Sequence, residues 1–445
     1  MIGTLAMARF RLERSPLARR FLGGAAWSVL GTVVSSGVTL LMLMLVARLL
    51  GKESYGQFVV IQSTLGMVGV FAGFGIGGAA TRYAAELRLR NTTRLGHILT
   101  LAERAVLGFG LFASVGLAIS SGWMAAHLLN APGLRAPLAI AATAVCFTAL
   151  DSYQKSVLIG FEAMRAFATG TVAGVIIGFP VMVLVASHYG LMGVAVAIVV
   201  NALLQASISR YQMTRELKKF GVKRNAKGCL SEWPILWHFA LPALLAGAMV
   251  GPAHWAAQAL LANAPNGYAE LAVLGIAMQW FNVIMFVPGT AGRVVLPILT
   301  DHVTNNDYGN SRKILLYAMG ANALVAVPLA VIIGVLSPYI MSLYGNNFEN
   351  DYIALIVAVM TAALLAIQIP IGNLLVASSR MWLGALMNAG WALVYVSSAY
   401  FLLDEGATGV IVALGIGYIV HAIWTFWFAL RHAKTAINNQ DMRHI

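Results

Sequence analysis

Ala47-Arg48-Leu49-Leu50-Gly51-Lys52-Glu53-Ser54-Tyr55-Gly56-Gln57-Phe58 separates two long apolar runs, 21–47 and 57–80. Each run is long enough to cross a bilayer as a helix at about 1.5 Å per residue. The polar stretch Arg48–Gly56 is short enough to serve only as a tight turn between antiparallel helices. The exit is basic, from Arg82 to Arg94. A helical membrane hairpin is therefore the opening unit, and most of the chain repeats it.

The whole sequence supports that choice. Of 445 residues, 60% are hydrophobic and 10% are charged, and the mean hydropathy is +0.80. A soluble domain carries about 25% charged residues, so the chain is read as an integral membrane protein. The net charge of +13 would suit nucleic acid, but its distribution argues against that partner. Apolar spans are placed at 21–47, 57–80, 98–121, 137–158, 166–187, 191–209, 234–258, 269–298, 314–337, 352–376, 383–403 and 407–430. With the N-terminus in the cytoplasm, only Arg48, Lys52 and Arg135 of the 29 Lys and Arg residues fall outside. This positive-inside asymmetry predicts twelve transmembrane helices with both termini cytoplasmic. Ala18-Arg19-Arg20-Phe21-Leu22 resembles a twin-arginine signal only faintly. The apolar run behind it is too long for a signal peptide, so it is read as an uncleaved first helix.

The longest polar connection, Arg210–Lys227, carries seven basic residues and Glu216. It divides the chain into a six-helix lobe at 1–209, a linker at 210–233 and a six-helix lobe at 234–445. The linker suits anionic lipid headgroups, with an acidic partner as the alternative. The second half echoes the first: Tyr55 precedes Arg82 by 27 positions, and Tyr268 precedes Arg293 by 25. The expected fold is an all-α polytopic membrane protein of two pseudo-twofold-related lobes. Transporters of that plan hold substrate between the repeats.

Soluble chemistry finds no purchase. Gly73-Phe74-Gly75-Ile76-Gly77-Gly78 matches a dinucleotide fingerprint by letter, but no strand precedes it. Gly69, Gly73 and Gly77, like Gly170, Gly174 and Gly178, are instead spaced for close helix packing. There is no P-loop and no H-E-x-x-H, so transport would draw on a gradient rather than on ATP hydrolysis. Cys146 and Cys229 form neither a disulfide framework nor a zinc site. No cofactor is expected.

Ionisable groups in the apolar spans carry more information, because each costs roughly 2.5–3.5 kcal/mol to insert at mid-membrane. Asp151 and Lys155 lie one helical turn apart in span four, either as a structural ion pair or as a coupling-ion site. Arg82 leaves span two at its inner end. Arg293 follows Pro288 in span eight, either as an anion contact or as an inner-face anchor. Arg48 would cap its own helix or guide a phosphate. His254 and Trp255 in span seven, with Gln279 and Asn282 in span eight, would stack on or bond a sugar, or simply pack.

Two stretches resemble bacterial oligosaccharide-lipid (O-antigen type) flippases, within the superfamily of multidrug, oligosaccharidyl-lipid and polysaccharide exporters. They are Ala47–Phe58 and Ala80-Thr81-Arg82-Tyr83-Ala84-Ala85-Glu86. Leu158-Ile159-Gly160-Phe161-Glu162-Ala163-Met164-Arg165 is a third echo. The resemblance implies alternating access and a polyprenyl-pyrophosphate-linked oligosaccharide as cargo, carried from the cytoplasmic to the periplasmic leaflet of the inner membrane. It further implies arginines on the pyrophosphate, ion coupling for which Asp151 is the candidate, and partnership with membrane lipids and polysaccharide polymerase machinery. A drug exporter of the same superfamily is the alternative, and a membrane enzyme acting on lipid-linked sugars is a more distant one.

Overall fold

The computed structural model describes residues 16–73, 75–225, 228–235, 244, 249–305, 307–378 and 380–441. They form helices and short turns, with no strand among the described residues. The main helices are α1 (Pro16–Gly73), α2 (Ile76–Leu87), α3 (Thr92–Trp123), α4 (Arg135–Ala142), α5 (Ala144–Gly160) and α6 (Met164–Lys219). They continue with α7 (Val250–Ala262), α8 (Gly267–Thr304), α9 (Tyr308–Val335), α10 (Ser337–Ser342), α11 (Tyr352–Ala377), α12 (Met381–Phe401) and α13 (Gly406–Asp441). Eight helical stretches among the described residues are long and apolar enough to cross a membrane. The chain has an all-α polytopic membrane fold.

The predicted nine-residue loop at Arg48–Gly56 is shorter than expected. Helix runs up to Gly51 and resumes after it, and that one residue makes the turn with φ 75° and ψ 171°. A side chain would be strained there, whereas glycine occupies the region at no steric cost. Gly190 does the same inside α6, with φ 54° and ψ −137°, at the predicted boundary between spans five and six. A third break falls at Gly75, whose φ of 62° separates α1 from α2 within the glycine-rich stretch. Residues 236–243 and 245–248 of the predicted seventh span lie outside the described residues, and α7 begins at Val250 within that span. Span eight runs unbroken through Pro288 and Pro297 as part of α8.

The chain divides into two compact units. The first comprises Met1–Val46, Val68–Gly122 and Gly133–Leu244; the second comprises Ala47–Met67, Trp123–Pro132 and Leu245–Ile445. The tip of the opening hairpin thus belongs to the second unit. Large apolar side chains such as Leu111, Phe112, Ile119, Leu324, Val335 and Phe401 are exposed, as a lipid-facing surface requires. In lipid the hydrophobic effect does not drive helices together, so close packing and hydrogen bonds must.

The first unit shows both devices. Gly170, Gly174 and Gly178 line one face of α6, and the space a Cβ would take is filled by Gln212, Gln205 and Asn201 from the returning half of that helix. The glycine stripe therefore accommodates amides rather than a bare backbone. A Cβ at Gly69 or Gly73 would meet nothing within 4 Å, whereas one at Gly77 would lie 2.8 Å from Ser156 Oγ. The packing role expected of the first glycine series thus holds at Gly77 alone. The stretches Ala80–Glu86 and Leu158–Arg165 pack on each other. Gly160 accepts Ala84 and the Thr81 carbonyl in close approach, and Thr81 Oγ1 donates to the Ser156 carbonyl at 2.9 Å. Arg88 donates to the Gly160 carbonyl at 3.2 Å and pairs with Glu162.

Candidate functional site

Four groupings stand out, and each lies within one unit. In the first unit Asp151 is fully engaged. Lys155 Nζ donates to Oδ2 at 2.7 Å, and Ser209 Oγ donates to Oδ1 at 2.6 Å. Lys155 also reaches Gln205 Oε1 at 3.5 Å, and Gln205 donates to the Thr171 carbonyl at 3.4 Å. The Asp151 and Lys155 side chains are 16% and 20% exposed. Helical spacing places the acid one turn before the base, which favours the pair. The return of α6 at Gly190 then brings Gln205 and Ser209 alongside. Chain order alone did not reveal Ser209 or Gln205.

In the same unit, Glu103 receives both Arg210 and Arg224, and Arg94 pairs with Glu232 at 2.9 Å. Part of the basic linker is thus tied to α3. Arg82 is exposed and lies 5.8 Å from the Tyr83 ring.

In the second unit the hairpin tip is clasped. Arg48 Nε donates to the Leu343 carbonyl at 2.6 Å, at the end of α10. Arg48 does cap a helix C-terminus, as a cation should, but the helix is α10 rather than its own. Lys52 pairs with Asp351 at 2.6 Å. Gly56 lies so close to the Tyr268 carbonyl that no Cβ would fit. Tyr268 thus packs against the residue that follows Tyr55. Behind them Gln279 Nε2 donates to Tyr55 Oη at 2.6 Å, and Tyr344 Oη donates to Gln279 Oε1 at 3.1 Å. Trp280 Nε1 donates to Tyr344 Oη at 3.2 Å. Gln279 accordingly bridges two buried tyrosines.

The fourth grouping surrounds His254. Its ring centroid lies 5.6 Å from that of Trp391 and 5.3 Å from that of Tyr395. Trp391 stacks on Tyr395 and on Tyr418 at 5.6 and 5.4 Å. Trp255, its sequence neighbour, points elsewhere: its indole N–H donates to Thr64 Oγ1 at 2.9 Å. Asn282 is exposed. Arg293 is helical in α8, and its side chain lies outside the described residues. Among the described residues no three His, Cys, Asp or Glu side chains gather as a metal site would require. The sequence singled out His254 but not Trp391, Tyr395 or Tyr418, because each of these lies more than 130 positions from His254 in the chain.

Residues 21–302 match the family described as polysaccharide biosynthesis protein. The chain belongs to that family. Two curated relatives extend the match along nearly the whole length. Both are named EPS I polysaccharide export inner membrane protein EpsE. The one from Ralstonia nicotianae is 23% identical over 429 residues, covering 91% of this chain and 93% of its own. That from Ralstonia solanacearum is 23% identical over 415 residues, covering 91% and 92%. Among solved structures, an inward-facing multidrug resistance MATE family transporter of the MOP superfamily superposes with a TM-score of 0.73 at 14% identity, covering 91% of this chain and 96% of its own. A MOP superfamily transporter from Pyrococcus furiosus gives 0.63 at 14% identity, covering 96% and 98%. At such identity the likeness is one of fold. This family member therefore has the helical architecture of MOP superfamily transporters.

Proposed function

We propose that the protein is a flippase of the bacterial inner membrane. It carries a polyprenyl-pyrophosphate-linked oligosaccharide from the cytoplasmic to the periplasmic leaflet for surface polysaccharide synthesis. The observation that carries this reading is family membership together with full-length similarity to polysaccharide export inner membrane proteins. The glycan crosses between two six-helix lobes by alternating access while the lipid tail stays in the bilayer. Both termini face the cytoplasm, as the basic residues require, and the linker Arg210–Lys227 rests on anionic headgroups. Arg82 and Arg293 hold the pyrophosphate, with Arg48 near the exit. Asp151 and Lys155 exchange partners during the cycle and couple it to an ion. A polysaccharide polymerase receives the product.

The test is deletion of the gene in its host. Lipid-linked oligosaccharide accumulates on the cytoplasmic leaflet and a surface polysaccharide disappears. Normal polysaccharide would overturn the assignment. If new sensitivity to a cationic drug accompanies it, the reading favoured by the MATE-like fold, a drug exporter, takes its place.

A further inference from the structure

Resting on that reading, we infer that the aromatic cluster around His254 in the second unit is a binding subsite for a neutral sugar residue. Four helices build it: α7 gives His254 and Gln258, α11 gives Gln368, α12 gives Trp391 and Tyr395, and α13 gives Tyr418 and His421. The rings form a continuous set, with His254 against Trp391 and Tyr395, and Tyr418 stacked on Trp391 at an interplanar angle of 27°. Gly417 makes the approach possible, since a Cβ there would lie 3.2 Å from both Cδ1 and Nε1 of the indole.

A packed aromatic core needs no unmade hydrogen bonds, and this one has several. Among the described residues seven buried side-chain atoms find no partner. Four of them lie here: Gln258 Oε1, Gln368 Oε1, Trp391 Nε1 and His421 Nδ1. Their positions are linked. Gln258 is one turn from His254, His421 is about one turn from Tyr418, and Gln368 donates its own N–H to the Tyr418 carbonyl at 3.2 Å. Each orphaned group is a standing penalty that an apolar residue of similar size would remove. Buried polar groups normally meet protein, water or ligand. His254, Gln258, Tyr418 and His421 are partly exposed, whereas Trp391, Tyr395 and Gln368 are buried, and the four orphaned atoms are themselves shut off from solvent.

The chemistry of the set selects its ligand. Aromatic faces stack on the C–H face of a pyranose. An indole N–H donates to a hydroxyl, and the two amide oxygens accept from hydroxyls. Neither a carboxylate nor a permanent cation belongs to the set, which disfavours a pyrophosphate and supplies no counter-charge for a cation. The pyrophosphate and the sugar are therefore recognised by different residues. The cluster reads the glycan and makes export depend on it.

The experiment uses the purified full-length protein and two probes: undecaprenyl pyrophosphate bearing the host oligosaccharide, and bare undecaprenyl pyrophosphate. Native mass spectrometry measures the ratio of the two affinities. The wild type prefers the glycosylated lipid by at least ~10-fold, since one hydrogen bond is worth about that factor. Gln258→Leu, Gln368→Leu and Trp391→Phe each lower that ratio about 5- to 10-fold. Binding of the bare lipid stays unchanged; the melting temperature is unchanged or raised in the two Gln→Leu variants and falls modestly in Trp391→Phe, whose smaller ring leaves a cavity. An unchanged ratio in all three variants overturns the subsite and leaves the flippase reading standing. Failure of the wild type to bind either lipid overturns both. Saturable binding of tetraphenylphosphonium that Trp391→Leu abolishes would assign the cluster to a cation instead.

Discussion

The clasp on the hairpin tip yields a measurable coupling energy. Lys52 and Asp351 meet at 2.6 Å with side chains 22% and 23% exposed. At an effective dielectric of about 20 the gross attraction at that distance is about 6 kcal/mol. Desolvation of both groups and the ordering of a long lysine side chain cancel most of it. Pairs with this much solvent access retain up to about 1 kcal/mol, and the Phe348 ring 5.7 Å from Lys52 Nζ adds little at an exposed site. The expected coupling is therefore about 1 kcal/mol, or roughly a fivefold change in the population of the clasped tip. The assay is a double-mutant cycle of Lys52→Ala, Asp351→Ala and the double variant, read from thermal unfolding in detergent at low salt. Each single variant loses close to the whole coupling, and the double variant loses little more. The coupling shrinks in 1 M salt, where the screening length is about 3 Å. The exchanged pair, Lys52→Asp with Asp351→Lys, recovers part of the stability lost in Lys52→Asp alone. Strictly additive single effects at low salt would refute a direct ion pair and leave Arg48 on the Leu343 carbonyl as the tip's main polar tether.

Trp255→Phe removes one hydrogen bond to Thr64 and costs about 0.5–1.5 kcal/mol in unfolding. Export of polysaccharide stays normal, and its loss would return Trp255 to the sugar-contacting set. Asp151→Asn leaves Lys155 without its carboxylate, and with both groups partly solvated we expect a cost of about 1–3 kcal/mol, below that of a fully buried pair. Asp151→Asn with Lys155→Met recovers part of that stability and still abolishes ion dependence of export; retained dependence would rule Asp151 out as the coupling group. Gly174→Val forces Gln205 out of its niche and destabilises by about 1–3 kcal/mol, which thermal unfolding would show. Arg293→Ala abolishes export with normal membrane insertion and Arg293→Lys restores it partly, whereas unchanged surface glycan in Arg293→Ala would exclude the pyrophosphate role.

Several elements were legible because they depend on local composition. Apolar runs announce helices, and Gly51 and Gly190 fall where two successive spans had to turn. The Asp151–Lys155 pair follows from one helical turn. What escaped depends on contacts between distant positions. The nine-residue loop contracted to a single glycine because polarity marks where a turn belongs but not how many residues leave the helix. Arg48 was recognised as a helix cap, yet its partner lies almost 300 positions away. Of two adjacent aromatic side chains on α7, His254 joins a ring cluster while Trp255 is committed to Thr64, because neighbours on a helix point about 100° apart.

By itself the sequence determined an all-helical membrane chain, its helical segments and the hairpin that opens it, since transfer free energy and helical period act over twenty residues or fewer. The tertiary structure decided which polar groups are already satisfied and which are left open. Asp151, Tyr55 and Gln279 find partners on other helices, whereas Gln258 Oε1, Gln368 Oε1, Trp391 Nε1 and His421 Nδ1 do not. Hydrogen bonding is satisfied within about 3 Å, and only the folding of helices from opposite ends of the chain brings groups within that distance or keeps them apart.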